Sequence, residues 1–410
     1  MSVLTRLLGD TSYRATLDAF DHRIAVTGSR GKSSMTRWIH DALHDRGHET
    51  FAKITGNHPK TLTNGRIDPV ERDGPQVRLY ENEALLRDAA DALDAHGPTA
   101  AVCENHGLRE YTMRVFNERF LQPDLVVLTN VRQDHTDTLG GDRQAIARSF
   151  ARSIPADATV LVGEQHRLVA DYLMEEIEKR GAAADHVPVP PEEKGRVGAE
   201  MVYLLDAVLQ HVADDRLGAA RREALLDELQ PVWHHLPGGR IANAAPANDV
   251  ESTEMVRRAL AGDPPDADRI CPFVFCRDDR RARTAIFAEY LDVLHRRDLI
   301  DRVHVAGPGA GVLADSVAPP ATRHAASPDR AEEVLEALLA VGQPVIYMAN
   351  AVDPFMRALV DATEIRALDT TPTRRDPGRE DWARRDRDSW EDVKPASVDG
   401  TTDEDEADET

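Results

Sequence analysis

Short apolar runs alternate with amphipathic segments along the first half of the chain. The run Arg23 to Thr27 ends at a glycine-containing loop, and Ser33 to Arg46 then has helical periodicity up to Gly47, a typical helix C-cap. The alternation continues with strands predicted at 50–54, 100–104, 124–130 and 158–163 and with helices at 85–96 and 143–151. Strands that alternate with helices indicate an α/β fold with a mostly parallel sheet covered on both faces.

The second half of the chain repeats this pattern on a smaller scale. Helical patterns extend to residue 261, and Asp263-Pro264-Pro265 then predicts a joint between domains, beyond which strands and helices alternate again. We therefore predict a first domain at 1–262, a smaller Rossmann-like α/β domain at 263–368, and a disordered acidic tail at 369–410.

Length and apolar content set limits on the class of protein. A chain of 410 residues is long enough for two domains, and it contains no run of 18 apolar residues, so we expect a cytoplasmic protein. The spacing of Cys103, Cys271 and Cys276 fits neither a zinc ribbon nor a disulfide framework, so these residues are expected to be buried thiols.

The charge is strongly acidic, with a net value of −22, although 50 residues are basic. Only six of those are lysines, and the rest are arginines. An acidic, lysine-poor surface is typical of a halophilic protein adapted to concentrated salt, and a genome rich in G and C would also favour arginine. Both explanations stay open, and either way nonspecific binding to nucleic acid or anionic lipid is not expected.

The loop Thr27-Gly28-Ser29-Arg30-Gly31-Lys32-Ser33-Ser34 carries the clearest chemical signal. It lies between a predicted strand and a predicted helix, where glycines let backbone N–H groups turn toward an anion and Lys32 can reach nucleotide phosphates. A hydroxyl after the lysine, Ser33, suits Mg²⁺. Val26 stands where the general P-loop has its first glycine, so this is a shortened form.

Polar side chains follow two neighbouring strands. Glu104 ends the apolar run at 100–104, and Asp134 and His135 follow the run at 124–130. Ligands of open parallel sheets bind beyond the carboxyl ends of the strands, so Glu104 and His135 are candidates for a metal site beside Ser33. Taken singly, Glu104 could instead be a helix cap and His135 an ordinary loop histidine.

Together these features resemble the ATP-binding central domain of the Mur ligase superfamily. The loop is similar to the family's T-G-x-x-G-K-[ST] segment, Glu104 to its strand-end glutamate, and 130–140 to its N-x-x-x-D-H-x-D segment. The resemblance implies a P-loop parallel-sheet ATP-binding domain followed by the smaller α/β domain.

Within the superfamily the chain is most similar to the ligase subunit of poly-γ-glutamate synthetase. Arg30 in the loop, Lys53-Ile54-Thr55-Gly56 and the segment 243–253 carry this resemblance, and 276–280 is similar to the end of the subgroup's N-C-R-x-D-R motif. Phe275 replaces the asparagine of that motif. We do not find the hydrophobic membrane segment with which bacterial members begin. We also find no lysine that matches the sequence context of the carbamylated lysine that many Mur ligases use for a second metal.

The resemblance also implies residue roles. Nucleotide binding falls to Gly28, Ser29, Arg30, Gly31, Lys32, Ser33, Ser34, Asn248, Arg277, Asp279 and Arg280. Mg²⁺ binding falls to Ser33, Glu104 and His135, and the catalytic residues are Lys32, Glu104 and His135. Candidates for holding the substrate carboxylate are Lys53, His58 and Lys60.

The implied activity is an ADP-forming acid–amino-acid ligase that works through an acyl phosphate and extends a chain of γ-linked glutamate. A folate-like or cell-wall acceptor is an alternative, as is a nucleotide-binding subunit that gates a membrane partner without forming a bond. If a polymer is exported, an integral-membrane partner subunit is expected to do it. A homo-oligomer is compatible with the sequence.

Overall fold

The computed structural model describes residues 13–55, 59–71, 79–93, 97–107, 109–133, 138–261 and 269–370. Asp134, His135, His58 and most of the predicted acidic tail therefore lie outside the described residues. Within them, no helix is both long enough and apolar enough to cross a bilayer.

The first sheet has eight strands in the described part of the chain. They are β1 (His22–Thr27), β2 (Glu49–Ile54), β3 (Lys60–Thr63), β4 (Arg66–Pro69), β5 (Thr99–Glu104), β6 (Leu125–Leu128), β7 (Thr159–Val162) and β8 (Ala183–His186). Their spatial order is β4-β3-β2-β5-β1-β6-β7-β8. β3 is antiparallel to both of its neighbours, β2 and β4. At the centre of the sheet, β1 lies between β5 and β6 and is parallel to both.

Helices cover both faces of this sheet, as the alternating pattern predicted. They are α1 (Lys32–His44), α2 (Glu81–Ala92), α3 (Glu110–Val115, continued by a π-helical turn), α4 (Arg143–Ser153), α5 (Arg167–Glu178), α6 (Ala199–Ala213) and α7 (Ala219–Glu228). On one face α1, α6 and α7 enclose a core that includes Met35, Ile39 and Leu209. On the other, α2 to α5 enclose a core around Phe116 and Phe150.

A second sheet, with six strands among the described residues, forms the smaller domain. Its strands are β9 (His234–Leu236), β10 (Gly239–Asn243), β11 (Cys271–Phe275), β12 (Val303–Ala306), β13 (Ala321–His324) and β14 (Val345–Met348). Their order is β13-β12-β11-β14-β10-β9, and all pairs are parallel except β9 with β10. The predicted α/β class of both domains is therefore confirmed.

The helices of the second domain also lie on both faces of its sheet. They are α8 (Val250–Ala261), α9 (Arg281–Arg296), α10 (Ala310–Ser316), α11 (Ala331–Leu339) and α12 (Pro354–Thr370). Phe273 and Phe355 belong to the core under α11 and α12, and Phe287 and Leu313 belong to the core under α9 and α10.

The second sheet begins earlier in the chain than the predicted joint at 262. β9 and β10 precede that joint and pair with the second sheet, β10 through Ile241 beside Val345. β9 is difficult to detect in the sequence, because it is a three-residue edge strand in which one residue is buried. The proline pair at 264–265 lies outside the described residues.

Candidate active site

The loop after β1 has the backbone shape of an anion-binding loop. Gly28 has φ 123°, and a Cβ added there would lie 2.2 Å from Oγ1 of Thr129, so only glycine fits. Gly31 has φ 79° and is the N-cap of α1, whose first turn contains no acidic residue. The first N–H groups of a helix lack intrahelical partners, so this end of α1 presents donors and positive potential to an anion.

The side chain of Lys32 lies over the same loop. Its Nζ donates to the carbonyl oxygen of Gly28 at 2.9 Å. The loop is in turn fixed by Asn130, whose Oδ1 accepts from the N–H of Arg30 at 3.0 Å and whose carbonyl oxygen accepts from the N–H of Ser29 at 3.0 Å. The start of the 130–140 segment therefore supports the phosphate loop directly.

The structure brings Ser33 and Glu104 together. The Ser33 hydroxyl donates to Oε2 of Glu104 at 3.0 Å, and the N–H of Thr55 donates to the same oxygen at 2.9 Å. Glu104 is buried at the carboxyl end of β5, next to β1. A hydroxyl and a carboxylate oxygen are ligands that Mg²⁺ accepts, and nucleotide phosphates supply others, so these residues fit that ion.

Two other features bear on the predicted metal site. Within the described ranges, no cluster of three or more His, Cys, Asp or Glu side chains is arranged to hold a metal. His135, the third predicted ligand, lies outside those ranges. The metal role of Ser33, Glu104 and His135 therefore stays a prediction.

Lys53, a predicted substrate residue, is 1% exposed and has partners within the protein. Its Nζ lies 2.8 Å from Oε1 of Glu81 and donates to Oδ1 of Asn82 at 2.6 Å. It therefore fixes the first turn of α2 to β2, and its charge is neutralised there. Lys60 begins β3 and is half-buried.

Asn248 lies at the edge of the second domain in a left-handed conformation, with φ 59°. Its Oδ1 accepts from Nη1 of Arg283 at 3.1 Å and from the N–H of Asn350 at 2.8 Å, and Nδ2 of Asn350 donates to the carbonyl oxygen of Phe275 at 2.7 Å. Asn248 is thus tied to the carboxyl ends of β11 and β14. The sequence did not single out Arg283 or Asn350, although the position of Asn350 just after an apolar run was a signal.

Arg277, Asp279 and Arg280 follow β11. Nε and Nη2 of Arg277 donate to the two oxygens of Asp279 at 2.8 and 2.7 Å, and this hydrogen bonding lowers the pKa of the Asp279 carboxyl. Nε of Arg280 lies 3.9 Å from the same carboxylate. All three side chains are about one third to one half exposed.

A cavity of about 290 Å³ lies between the phosphate loop and the second domain. Arg30, Gly31 and Asn130 line it from the first domain. Arg132, Glu200 and Ser252 also line it, and the apolar part of its wall includes Met201, Ala244, Pro246 and Ala247. A cleft between two domains with an apolar wall, next to the N-terminal end of α1, is a candidate site for a nucleotide base.

Family models match both domains. The Mur ligase middle domain matches residues 26–182, and the poly-gamma-glutamate synthase CapB C-terminal domain matches residues 234–366. With the parallel sheet and the phosphate loop, these matches define the class: the first domain is a Mur ligase middle domain and the second is similar to the C-terminal domain of CapB proteins. The second of these matches groups the C-terminal domain of the chain with that of the CapB proteins.

Individual relatives agree with this grouping. The chain is 27% identical to the capsule biosynthesis protein CapB of Bacillus anthracis, over 68% of this chain and 61% of that protein, less than two thirds of the relative's length. It is 26% identical to the PGA synthase CapB of Bacillus subtilis strain 168, over 70% of this chain and 75% of that protein.

Solved structures share the fold. The structure of E. coli FolC in complex with ADP has a TM-score of 0.58 at 16% identity, covering 88% of this chain and 93% of FolC. The Mycobacterium tuberculosis folylpolyglutamate synthase complexed with ADP has a TM-score of 0.56 at 15% identity, covering 89% of this chain and 95% of that one.

Proposed function

We propose that this protein is the ADP-forming ligase that extends a poly-γ-glutamate chain by one amide bond per ATP. One observation carries the proposal: the phosphate loop, with Ser33 against Glu104, faces a second domain that matches the CapB C-terminal domain. The names of the two relatives, a capsule biosynthesis protein and a PGA synthase, support glutamate polymer as the substrate class.

ATP binds across both domains in this proposal. The N–H groups of 28–34 and the Lys32 ammonium hold its phosphates, and Asn248 contacts the adenine. From the second domain, Arg277, Asp279 and Arg280 face the nucleotide. Ser33, Glu104 and His135 would hold Mg²⁺, which would supply positive charge to the phosphate oxygens.

The reaction has two steps. A substrate carboxylate oxygen attacks the γ-phosphorus, the bond to the β-phosphate oxygen breaks, and ADP leaves. The amine of the second substrate then attacks the acyl phosphate carbon, phosphate departs, and the amine proton passes to solvent. Lys32 stabilises negative charge in the first step, and the second domain excludes water that would hydrolyse the acyl phosphate.

The substrate and partner assignments follow from the same proposal. Lys60 and His58 are candidates for the substrate carboxylate, whereas Lys53 would have to leave Glu81 to act there. An integral-membrane partner subunit is proposed for export, and co-purification from membranes tests it. A homo-oligomer is compatible with the proposal, and light scattering of the purified chain tests that.

Oxygen transfer tests the ligase chemistry directly. Glutamate, or a short γ-glutamyl oligomer, is labelled with oxygen-18 in its carboxylates and incubated with the protein, ATP and Mg²⁺ in concentrated KCl. One label should appear in inorganic phosphate for each amide formed, as read by mass spectrometry. Unlabelled phosphate, released at the same rate without amino acid, would instead support the nucleotide-driven gating subunit.

A panel of acceptors separates the two ligase alternatives. Glutamate-dependent ADP release with products of increasing length on a gel supports polymer synthesis. If ADP release requires a folate-like or cell-wall acceptor, the proposed polymer substrate is wrong and the proposed ligase reaction still holds.

A further inference from the structure

The two domains meet at the first turn of α8. Nε of Arg30, in the phosphate loop, lies 3.2 Å from Oδ2 of Asp249, whose side chain is 2% exposed. Nη1 of Arg132, in the loop after β6, donates to Oγ of Ser252 at 2.8 Å. Both arginines belong to the first domain and both acceptors to the second, so these contacts cross the domain boundary.

Asp249 and Ser252 form one rigid unit. Oδ1 of Asp249 accepts from the N–H of Ser252 at 2.9 Å, and Oδ2 accepts from the Ser252 hydroxyl at 2.5 Å. A carboxylate that satisfies N–H groups at a helix start is favourable there, and a charged hydrogen bond to arginine is stronger than a neutral one. The first turn of α8 is therefore a preformed acceptor for the two arginines.

Both arginines are connected to the phosphate loop, since Arg30 is part of it and Arg132 contacts it. The main chain of Arg132 makes two hydrogen bonds with the Ser29 side chain. Its N–H donates to the Ser29 hydroxyl at 2.9 Å, and its carbonyl oxygen accepts from that hydroxyl at 3.0 Å. Nη2 of Arg132 also donates to Glu200 at 2.9 Å, at the start of α6. A shift of α8 would thus be transmitted to the loop that receives the nucleotide.

We propose that Arg30 and Arg132, with Asp249 and Ser252, form an interdomain latch that holds the second domain against the phosphate loop. Asn248 directly precedes Asp249, so the latch aligns the predicted adenine contact with the phosphate site. The four side chains act as positioning residues. The kinetic consequence of the latch rests on the proposed ligase function, whereas its effect on domain orientation does not.

A double-mutant cycle tests the latch in the full chain. Arg30→Met and Asp249→Asn should each lower kcat roughly 10-fold to 100-fold with a smaller change in the KM of the amino acid, because a small misalignment of reacting groups is costly. The double variant should lose no more than the worse single variant, and Arg30→Lys should recover part of the rate. Losses that multiply would overturn the coupling.

Arg366→Met is the matched control. Arg366 is 26% exposed, close to the 22% of Arg30, but its partners Glu332 and Glu336 lie within the second domain. Its kcat should stay near that of the parent protein. An equal loss of kcat in this control would make the effect of Arg30→Met a general consequence of losing an ion pair, and the latch would be wrong.

A distance measurement tests the latch without any activity. Leu168→Cys and Val312→Cys place dyes on exposed positions of the two domains, while the native cysteines are buried. Energy transfer should give a narrow distribution in the parent and a broader, shifted one in the Arg30→Met/Asp249→Asn background. An unchanged distribution would overturn the latch. A parent without glutamate-dependent ADP release would overturn the proposed function while leaving this distance result intact.

Discussion

The Ser33 hydroxyl donates to Oε2 of Glu104 across 3.0 Å, which joins the first turn of α1 to the end of β5. If both oxygens hold Mg²⁺, Glu104→Gln should raise the Mg²⁺ concentration required and lower the rate by roughly 10²-fold, because a charged ligand is lost while the shape is kept. Titration of ADP release with Mg²⁺ measures this. Glu118→Gln, on a half-exposed glutamate paired with Arg180, should behave like the parent. Parent-like Mg²⁺ dependence in Glu104→Gln would refute the assignment.

Lys32→Met should abolish turnover, with a rate at least about 10²-fold lower, because the γ-phosphoryl group loses a positioned cation. Steady-state ADP release measures the loss. Lys179→Met removes an exposed lysine that pairs with Glu175 and Glu176 and should leave the rate unchanged. A Lys32→Met protein that keeps more than about a tenth of the parental rate contradicts the role given to this ammonium.

Gly28→Ala should weaken nucleotide binding, because the new Cβ would meet Oγ1 of Thr129 at 2.2 Å and force the loop out of shape. Binding of a fluorescent ADP analogue measures the dissociation constant, which should rise at least about 10-fold. A Cβ added to Gly218 would have no atom within 4 Å, so Gly218→Ala is the matched control. Equal affinities in the two variants would show that the loop tolerates a side chain.

Stability should fall in mild acid because of the His304–His324 pair. Nδ1 of His304 lies 2.8 Å from Nε2 of His324. Burial is the main cause that lowers the pKa of His304 to about 4, and the neighbouring His324 is the second. The unfolded histidine has a pKa near 6.5, so the unfolded state binds the proton first as pH falls. The unfolding free energy should therefore fall as the pH drops from 6.5 toward 4.

Urea unfolding at several pH values checks this sign. His304→Gln removes the titrating group, so its unfolding free energy should change less over the same interval. A pH dependence as steep as that of the parent would assign the acid sensitivity to other groups.

Salt dependence tests the explanation of the charge. A chain with net charge −22 should melt at lower temperature as KCl falls from about 3 M to about 0.1 M, where the Debye length is about 10 Å and carboxylate repulsion is less screened. Calorimetry measures the midpoint. A midpoint independent of salt would favour genomic base composition as the origin of the arginine excess.

Much of the fold could be predicted because its central strands are apolar on both sides. β1, β5 and β6 are buried strands in a parallel sheet, and such strands read as continuous apolar runs. Edge elements were harder to detect. β4 and β8 contain no buried residue, so their composition does not separate them from loops.

The geometry of the candidate site was predictable where it depends on local chain geometry. Gly28, Lys32 and Ser33 lie within one strand–loop–helix unit, and Glu104 lies at the carboxyl end of a strand, where ligands of parallel sheets bind. The contact of Arg30 with Asp249 joins residues more than 200 positions apart, so no local pattern signals it. The environment of Lys53 could not be predicted either, since the motif around Lys53 contains no sign that Glu81 neutralises its charge.

The strand order of the second sheet has a consequence for how the chain acquires its structure during synthesis. β10 lies between β9 and β14, and Ile241 pairs with Val345, about 100 residues later. At roughly 5–20 residues per second, the ribosome needs roughly 5 to 20 seconds to deliver that partner. Throughout that interval one side of β10 has unpaired backbone groups, while the strands of the first sheet have already been made. We therefore expect the second sheet to stay incomplete until β14 has been synthesised.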